Sequence, residues 1–551
     1  MKNLRIAAIA LIAAAVLVPG SAGAAATTER VSVTSAELEA TGGDSVGAAV
    51  SADGRFIAFS SAATDLVAGD GNGKTDVFVR DRASGTTERV SLDSSEDEGN
   101  NVSDRPAISG DGRFVSFYSL SNDLVPSDSN AGGDVFVRDR LNGTTERVSV
   151  DSSEGEANNS SGASSITPDG RYVAFASIAS DLAAPDGVGW DIFVRDRQAG
   201  TTEVASVPGP GALESGGTDF PSISDDGNLV AFESSKKLTS TDATIHSDVF
   251  LRDRTAGTTT LLSVSSAEVQ SDYPSYNAAI SGNGLFVAFA TGATNLAPSD
   301  PSGYDVYLRD VTAGTTERIG VSSNGTGANN NTLDPAISAD GRFVAFHSSA
   351  TNLGSGDTTG YADVFLRDRQ FGTTERVSQS TGGVEGNQAS TNASISADGG
   401  VIGFESMASN LVTDDTNAKI DVFQHAWDID GDGVSDYSDN CPTVANTAGQ
   451  GDDDDVDWAG NACDAAGTAN ADCNQAINSV DALKILRNNA GLSVAQSEPC
   501  KDIGQAIGSG FGQADVDCNN SVNSVDALKV LRATAGLSVS QQAGCDPPIG
   551  P

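Results

Sequence analysis

Carboxylates spaced to wrap a hard cation dominate the last quarter of this sequence. Asp428, Asp430, Asp432, Asp436 and Asp439 occupy positions 1, 3, 5, 9 and 12 of a twelve-residue loop, and Gly433 stands at position 6. One loop with that spacing can surround a calcium ion with six or seven oxygens, the glycine allowing the sharp turn. Asp453, Asp455, Asp457, Asn461 and Asp464 fall in the same register, with Trp458 in the place of the glycine. Two more loops come from a tandem duplication at 45-residue spacing. Asn470, Asp472, Asn474, Asn478 and Asp481 supply the oxygens of one, and Asp515, Asp517, Asn519, Asn523 and Asp526 those of the other. Calcium is therefore the expected cofactor.

Each duplicated loop runs into a helical pattern. Leu483, Leu486 and Ala490 line one face before Gly491, and Leu528, Leu531, Ala535 and Gly536 repeat this. All six cysteines follow residue 440, and an even number in an exported chain favours disulfides. Cys473 and Cys500 are 27 apart, as are Cys518 and Cys545. Of the three ways to connect these four, duplication favours one bridge within each copy.

The N-terminus sets the compartment. Lys2 and Arg5 precede an apolar run from Ile6 to Val18, followed by a small-residue A-x-A-like site. Residues 1–26 therefore read as a secretory signal peptide, and the mature chain as exported, extracellular and not inserted in a membrane. With 32 basic against 75 acidic residues the formal charge is −43. That balance excludes nucleic acid as a partner, because phosphate binding needs clustered Lys and Arg.

Between the signal and the acidic tail, three phrases recur in fixed order, seven times each, every 57 to 59 residues. Thr-Thr-Glu-Arg-Val-Ser begins at Thr27, Thr86, Thr144, Thr315 and Thr373, with worn copies at Thr201 and Thr258. Ser-Ala-Asp-Gly-Arg-Phe-Val-Ala-Phe is typified by Ser51–Phe59, and Asp-Val-Phe-Val-Arg-Asp by Asp76–Asp81. Each is rich in β-branched and aromatic residues, and the Asp-Gly is a tight-turn signal. With the apolar stretch before each Asp-Gly, the repeat has four strands, the plan of a propeller blade. A first strand with no blade ahead of it predicts that residues 28–33 pair with residues 421–426 and close the ring, removing two open edges.

The fold class is thus mainly β: a seven-bladed β-propeller over 27–427, closed by the N-terminal strand, with a small C-terminal α calcium-loop/helix domain. The propeller repeat resembles the TolB-type, WD-like repeats; Ile166-Thr167-Pro168-Asp169-Gly170-Arg171 comes nearest. That resemblance implies fold rather than activity. Asp439-Asn440-Cys441-Pro442, then Gln450 and Cys463-Asp464, resembles the thrombospondin type 3 repeat. It implies that 428–467 is a calcium-stiffened hinge with a Cys441–Cys463 bridge. The run Asn478-Ser479-Val480-Asp481-Ala482-Leu483-Lys484 and its copy resemble a type I dockerin, although Gln475 and Asn520 stand where such loops carry glycine. That resemblance implies that 468–551 docks a cohesin-like partner through Ser479, Val480, Arg487, Ser524, Val525 and Arg532. A calcium-stabilised structural pair without a cohesin is the other reading.

Residues that break the repeat are where a propeller ligand, protein or glycan, is to be sought. They include Trp190, His246, Tyr304, His347, Glu405, Met407 and Lys236-Lys237, each of which also suits an ordinary surface or packing role. An aspartate five or six residues before each Asp-Val-Phe strand, such as Asp70 or Asp357, reads as a side chain bonding its own turn, with a weak calcium loop as the alternative. No catalytic residue is assigned. There is no G-x-S-x-G elbow, and the three histidines are scattered. The favoured function is a non-catalytic binding or scaffold propeller docked by its calcium module. The alternatives are a glycan-active enzyme with a dockerin-like tail, and a matrix or adhesion protein.

Overall fold

The computed structural model describes residues 26–427, except 185–188, 208–216, 298–302 and 355, together with a short pairing of Ala506–Ile507 with Phe511–Gly512. The described part of 26–427 forms seven four-stranded antiparallel sheets and contains no helix. We number these sheets as blades and letter their strands A to D outward from the ring axis. In blade 1 the strands are Ser45–Val50, Phe56–Ser61, Asp76–Asp81 and Thr86–Arg89. The inner strands of blades 2 to 6 are Ser103–Ile108, Ser161–Ile166, Thr218–Ile223, Ser275–Ile280 and Thr332–Ile337.

Blade 7 is composite. Ser390–Ile395, Val401–Ser406 and Asp421–Ala426 are joined on the outside by Thr27–Arg30 from the other end of the chain. Thr27 faces Ala426 and Arg30 faces Phe423, and the Val31 amide extends the ladder to the Val422 carbonyl at 2.7 Å. The ladder thus starts one residue earlier than the sequence suggests. Ser32 leaves it and gives its hydroxyl to Asp421 at 2.6 Å.

The core lies between blades rather than within one. Strand B and C residues alternate across the sheet, so each blade offers apolar side chains to both neighbours. Phe56, Ala58, Val77 and Val79 of blade 1 meet Val115, Phe117, Leu124 and Phe136 of blade 2. At the seam between blades 7 and 1, Val31 and Val422 pack with Ile57, Phe59 and Phe78. In every blade the strand B phenylalanine stacks on the strand C aromatic opposite it, as Phe59 does on Phe78 at 5.8 Å.

Polar clamps repeat the same logic. Arg140 gives a hydrogen bond to Glu88 at 2.6 Å, and its guanidinium lies 4.6 Å from the Phe56 ring of the preceding blade. Arg197 does the same with Glu146 and Phe114. The aspartate of the Ser-Ala-Asp-Gly phrase caps its own turn: Asp53 accepts from the Ser51 hydroxyl and the Arg55 amide. The glycine after it has φ +71°, and in blade 2 a Cβ on Gly112 would fall 2.2 Å from the Phe56 ring. Blades therefore nest only because this position carries no side chain.

Candidate ligand site at the ring axis

Every A strand contains a bulge. Its register against strand B shifts between Val46 and Ala49 in blade 1, and at the corresponding place in the other six. Inside each bulge one residue takes positive φ: Gly47, Arg105, Ala163, Phe220, Asn277, Asp334 and Asn392. Only the first is glycine, so six blades hold a side chain in a sparsely populated backbone region, a strain that tends to accompany function. A bulge re-aims its side chain. Here all seven converge on one axial cavity of about 670 Å³, lined by every blade.

The side chains around this cavity are as varied as the blades are uniform. Phe220 is 48 % exposed and Arg105 supplies a cation. Asn277 donates its amide to Asp334. A second tier comes from the penultimate residue of strand B. Glu405 accepts from the Gly47 amide at 3.1 Å and from the Asn392 side chain at 2.7 Å. Glu233 accepts from the Asn277 amide at 2.9 Å. Burial, with Asp219 adding to it, pushes the Glu233 carboxyl up to about 7. His347 lies 3.4 Å from Asp334; burial pulls its pKa down against the opposing charges of Asp334 and Glu405. Asp104, beside Arg105, is raised by burial. Beyond Glu233 runs an aromatic chain, Tyr276 to Tyr304 at 6.3 Å, Tyr304 to Tyr273 at 6.0 Å and Tyr273 to His246 at 6.1 Å. Tyr273 within it is 49 % exposed. This ring of carboxylates, amides and aromatics, with one arginine, suits a hydroxyl-rich or cationic ligand.

Of the repeat-breaking residues, His347 and Glu405 stand beside this cavity, and His246 and Tyr304 belong to the aromatic chain. The others serve elsewhere. Trp190 packs against the core between blades 3 and 4, Lys236 is buried with its ammonium 2.6 Å from Asp191, and Met407 is exposed. Sequence reasoning missed Arg105, Phe220, Asn277, Asp334 and Asn392. The third residue of strand A is Gly, Arg, Ala, Phe, Asn, Asp and Asn in turn, but the second, which is Val, Asp, Gly, Asp, Tyr, Leu and Thr, varies as much, so variation alone did not single it out.

The aspartates before strand C do not all cap their turns. Asp242 does, accepting from the Thr244 amide. In blades 1, 2 and 7 that task falls to Asn72, Asn130 and Asn417. Asp70, Asp128 and Asp415 also face other carboxylates, as Asp357 does in blade 6, while the amides of Gly73 and Gly360 in their own turns lie beside Asp70 and Asp357. All the loop ligands, partner-reading residues and cysteine pairs assigned beyond residue 427 lie outside the described residues.

Residues 426–449 match the thrombospondin type 3 repeat, a calcium-binding family. No curated protein matches the chain. Among solved structures, it is similar to oligogalacturonate lyase from Vibrio parahaemolyticus, with 11 % identity over 73 % of this chain and 96 % of that one and a TM-score of 0.44. It is also similar to Pyrococcus horikoshii acylaminoacyl peptidase, with 11 % identity over 67 % and 50 % and a TM-score of 0.41. TolB from Acinetobacter baumannii has 13 % identity over 61 % and 64 %, with a TM-score of 0.34. The described residues are thus a mainly β, seven-bladed propeller, and residues 426–449, at and beyond the end of its last strand, match a thrombospondin type 3 repeat.

Proposed function

We propose that this is a secreted, non-catalytic, calcium-binding propeller that holds an extracellular ligand at its axis and is fastened to a partner through residues 468–551. In this reading residues 428–467 form a hinge stiffened by calcium, and pairing of Thr27–Arg30 with Asp421–Ala426 closes the ring. One observation carries the ligand-binding part. Seven blades built on one repeat bring seven strained A-strand residues, Gly, Arg, Ala, Phe, Asn, Asp and Asn, together around one cavity, and repetition alone would have made those residues alike. The test is binding of the full chain to arrays of extracellular glycans and surface proteins, in calcium and in chelator, with Phe220→Ala and Arg105→Ala alongside. Loss of a captured ligand in both variants, with folding retained, supports an axial site. Undiminished binding places the ligand elsewhere. A calcium-dependent partner lost on deletion of 468–551 would establish the docking role.

A second reading, a glycan-cleaving enzyme, is favoured by the Glu233 carboxyl, which holds its proton close to neutrality as a general acid must. A polysaccharide-degradation screen comparing the chain with Glu233→Gln decides between the two.

A further inference from the structure

Four blades place three carboxylates together on the face that carries the B–C and D–A connections. In blade 1 these are Asp70, Asp76 and Glu98, offering oxygens that all lie within 4.8 Å of one another. Asp76 begins strand C, Asp70 precedes it by six residues, and Glu98 comes from the connection after strand D. Arg89, ending strand D, faces all three. Its contacts are unequal. Nη1 is 2.5 Å from Glu98, but 3.4 Å from Asp76 and 3.7 Å from Asp70. The guanidinium thus holds the glutamate and leaves both aspartates beyond hydrogen-bond reach or at its edge. Three carboxylates and one guanidinium leave a net charge of −2.

Two oxygens then stand out. Asp70 Oδ1 is buried without a hydrogen bond, on a side chain only 1 % exposed. In blade 6, Asp363 Oδ2 is in the same position, also on a side chain 1 % exposed, and it faces Asp357 and Glu385. A buried anionic oxygen with no donor is costly and calls for a counter-charge.

The remaining described blades show what happens when the set is broken. Blade 4 has Leu261 and Gln270 where blade 1 has Arg89 and Glu98, and the Gln270 amide donates to Asp242 at 2.9 Å and Asp248 at 2.8 Å. In blade 3 the Lys236 ammonium reaches Asp191. Blade 5 has Gly327 in place of the glutamate, and Arg318 bonds Asp305 at 2.6 Å. In blades 4 and 5 a protein donor fills the place, whereas in blade 3 it reaches only one oxygen of Asp191 and the other has no hydrogen bond.

We infer that blades 1 and 6 each bind one divalent cation of the calcium class between the two aspartates and the glutamate, and that blades 2 and 7 do so with Asp128, Asp134 and Glu156 and with Glu39, Asp415 and Asp421. All the ligands are hard oxygens, and calcium–oxygen bonds of about 2.3–2.6 Å let one ion bridge atoms up to roughly 5 Å apart. The cation neutralises the residual charge that the arginine leaves. These sites are separate from the loops beyond residue 427. They join the B–C connection to the D–A connection at the start of strand C.

The test counts ions on the full chain. Equilibrium dialysis with calcium is run on the native protein, Asp70→Asn, Asp357→Asn and, as control, Asp242→Asn. Bound calcium is expected to fall by one ion in each of the first two, and to stay unchanged in the control. Crystals of the native protein soaked in terbium provide a readout independent of any variant's folding. Anomalous peaks between the carboxylates of blades 1, 2, 6 and 7, and none in blade 4, are expected. Unaltered stoichiometry in folded Asp70→Asn and Asp357→Asn, or no terbium in these blades, would overturn the inference and leave arginine as the only counter-ion.

Discussion

Acid should loosen the seam between the two ends of the ring, and His425 is the reason. It is 2 % exposed and lies in strand C of blade 7, between Thr28 and Ile402 on the neighbouring strands. Thr28 Oγ1 donates its only proton to the Gln379 carbonyl, so at 2.8 Å it must accept from His425 Nδ1–H. That contact puts a proton on Nδ1, and burial alone pulls the pKa of the ring from 6.5 down to about 4, which leaves it neutral at pH 7. A base with a depressed folded pKa contributes stability above its unfolded pKa. That contribution is lost as pH falls, here between pH 6.5 and 4. Opening the seam returns the ring to water and to its ordinary affinity for protons, so at about pH 5 the closed state loses roughly 2 kcal/mol relative to pH 8. Hydrogen exchange of Thr27–Arg30, corrected for the intrinsic rate, should then show protection falling about 30-fold over that interval. His425→Gln can donate to Thr28 but cannot titrate, and should flatten the dependence. Equal pH slopes in the native chain and the variant would refute the reasoning.

Four further outcomes can be measured. Gly112→Ala would add a Cβ 2.2 Å from the Phe56 ring at φ +70°, and a loss of about 2–4 kcal/mol is expected in denaturant titration. Arg197→Ala removes the Glu146 pair and the Phe114 stack; a loss of about 1–2 kcal/mol is expected, and Arg197→Lys should recover little of it because a point charge cannot keep the planar stack. Glu233 acts opposite to His425. Its folded pKa is raised to about 7 from 4.5, so its stabilisation is present at low pH and lost as pH rises from 4.5 through 7, a slope that Glu233→Gln should abolish in thermal melts. Finally, the thrombospondin type 3 match at 426–449 implies faster proteolysis of residues 428–467 in chelator than in calcium; equal rates would remove calcium stiffening from the hinge.

How much of this could be read beforehand depended on whether a residue repeats. The Asp-Gly turns, the Phe59 and Phe78 strands and the partnerless Thr27 segment recur or interrupt a recurrence, and they lead to the sheets and the strand pairing observed. His347 and Glu405 stood out because they break the pattern. Phe220 and Asn277 were hidden because strand A varies anyway, and only the bulge turns its third residue toward the axis. The acid clusters were half visible. Asp70 and Asp76 lie in one loop, but Glu98 comes from the next connection, and nothing local shows that the two meet. Period and turn chemistry are local properties, whereas convergence on an axis or across connections is a property of the closed ring.

The composite seventh blade also has a kinetic consequence. Thr28 and His425 are 397 residues apart, so the seam is the most distant contact the propeller makes, and its loop-closure entropy must be met before any of its bonds form. Six blades can assemble as their chain segments become available, each from neighbouring hairpins. The seventh takes its outer strand from the segment that was the first of the ring to be made, and that segment must wait until the rest is in place. A molecule arrested before that step would carry a free strand at one end and an unfilled sheet edge at the other, and these fit a second arrested copy as well as they fit each other. Dilution during refolding should therefore favour closed single rings, and crowding should favour rings that exchange their first strands.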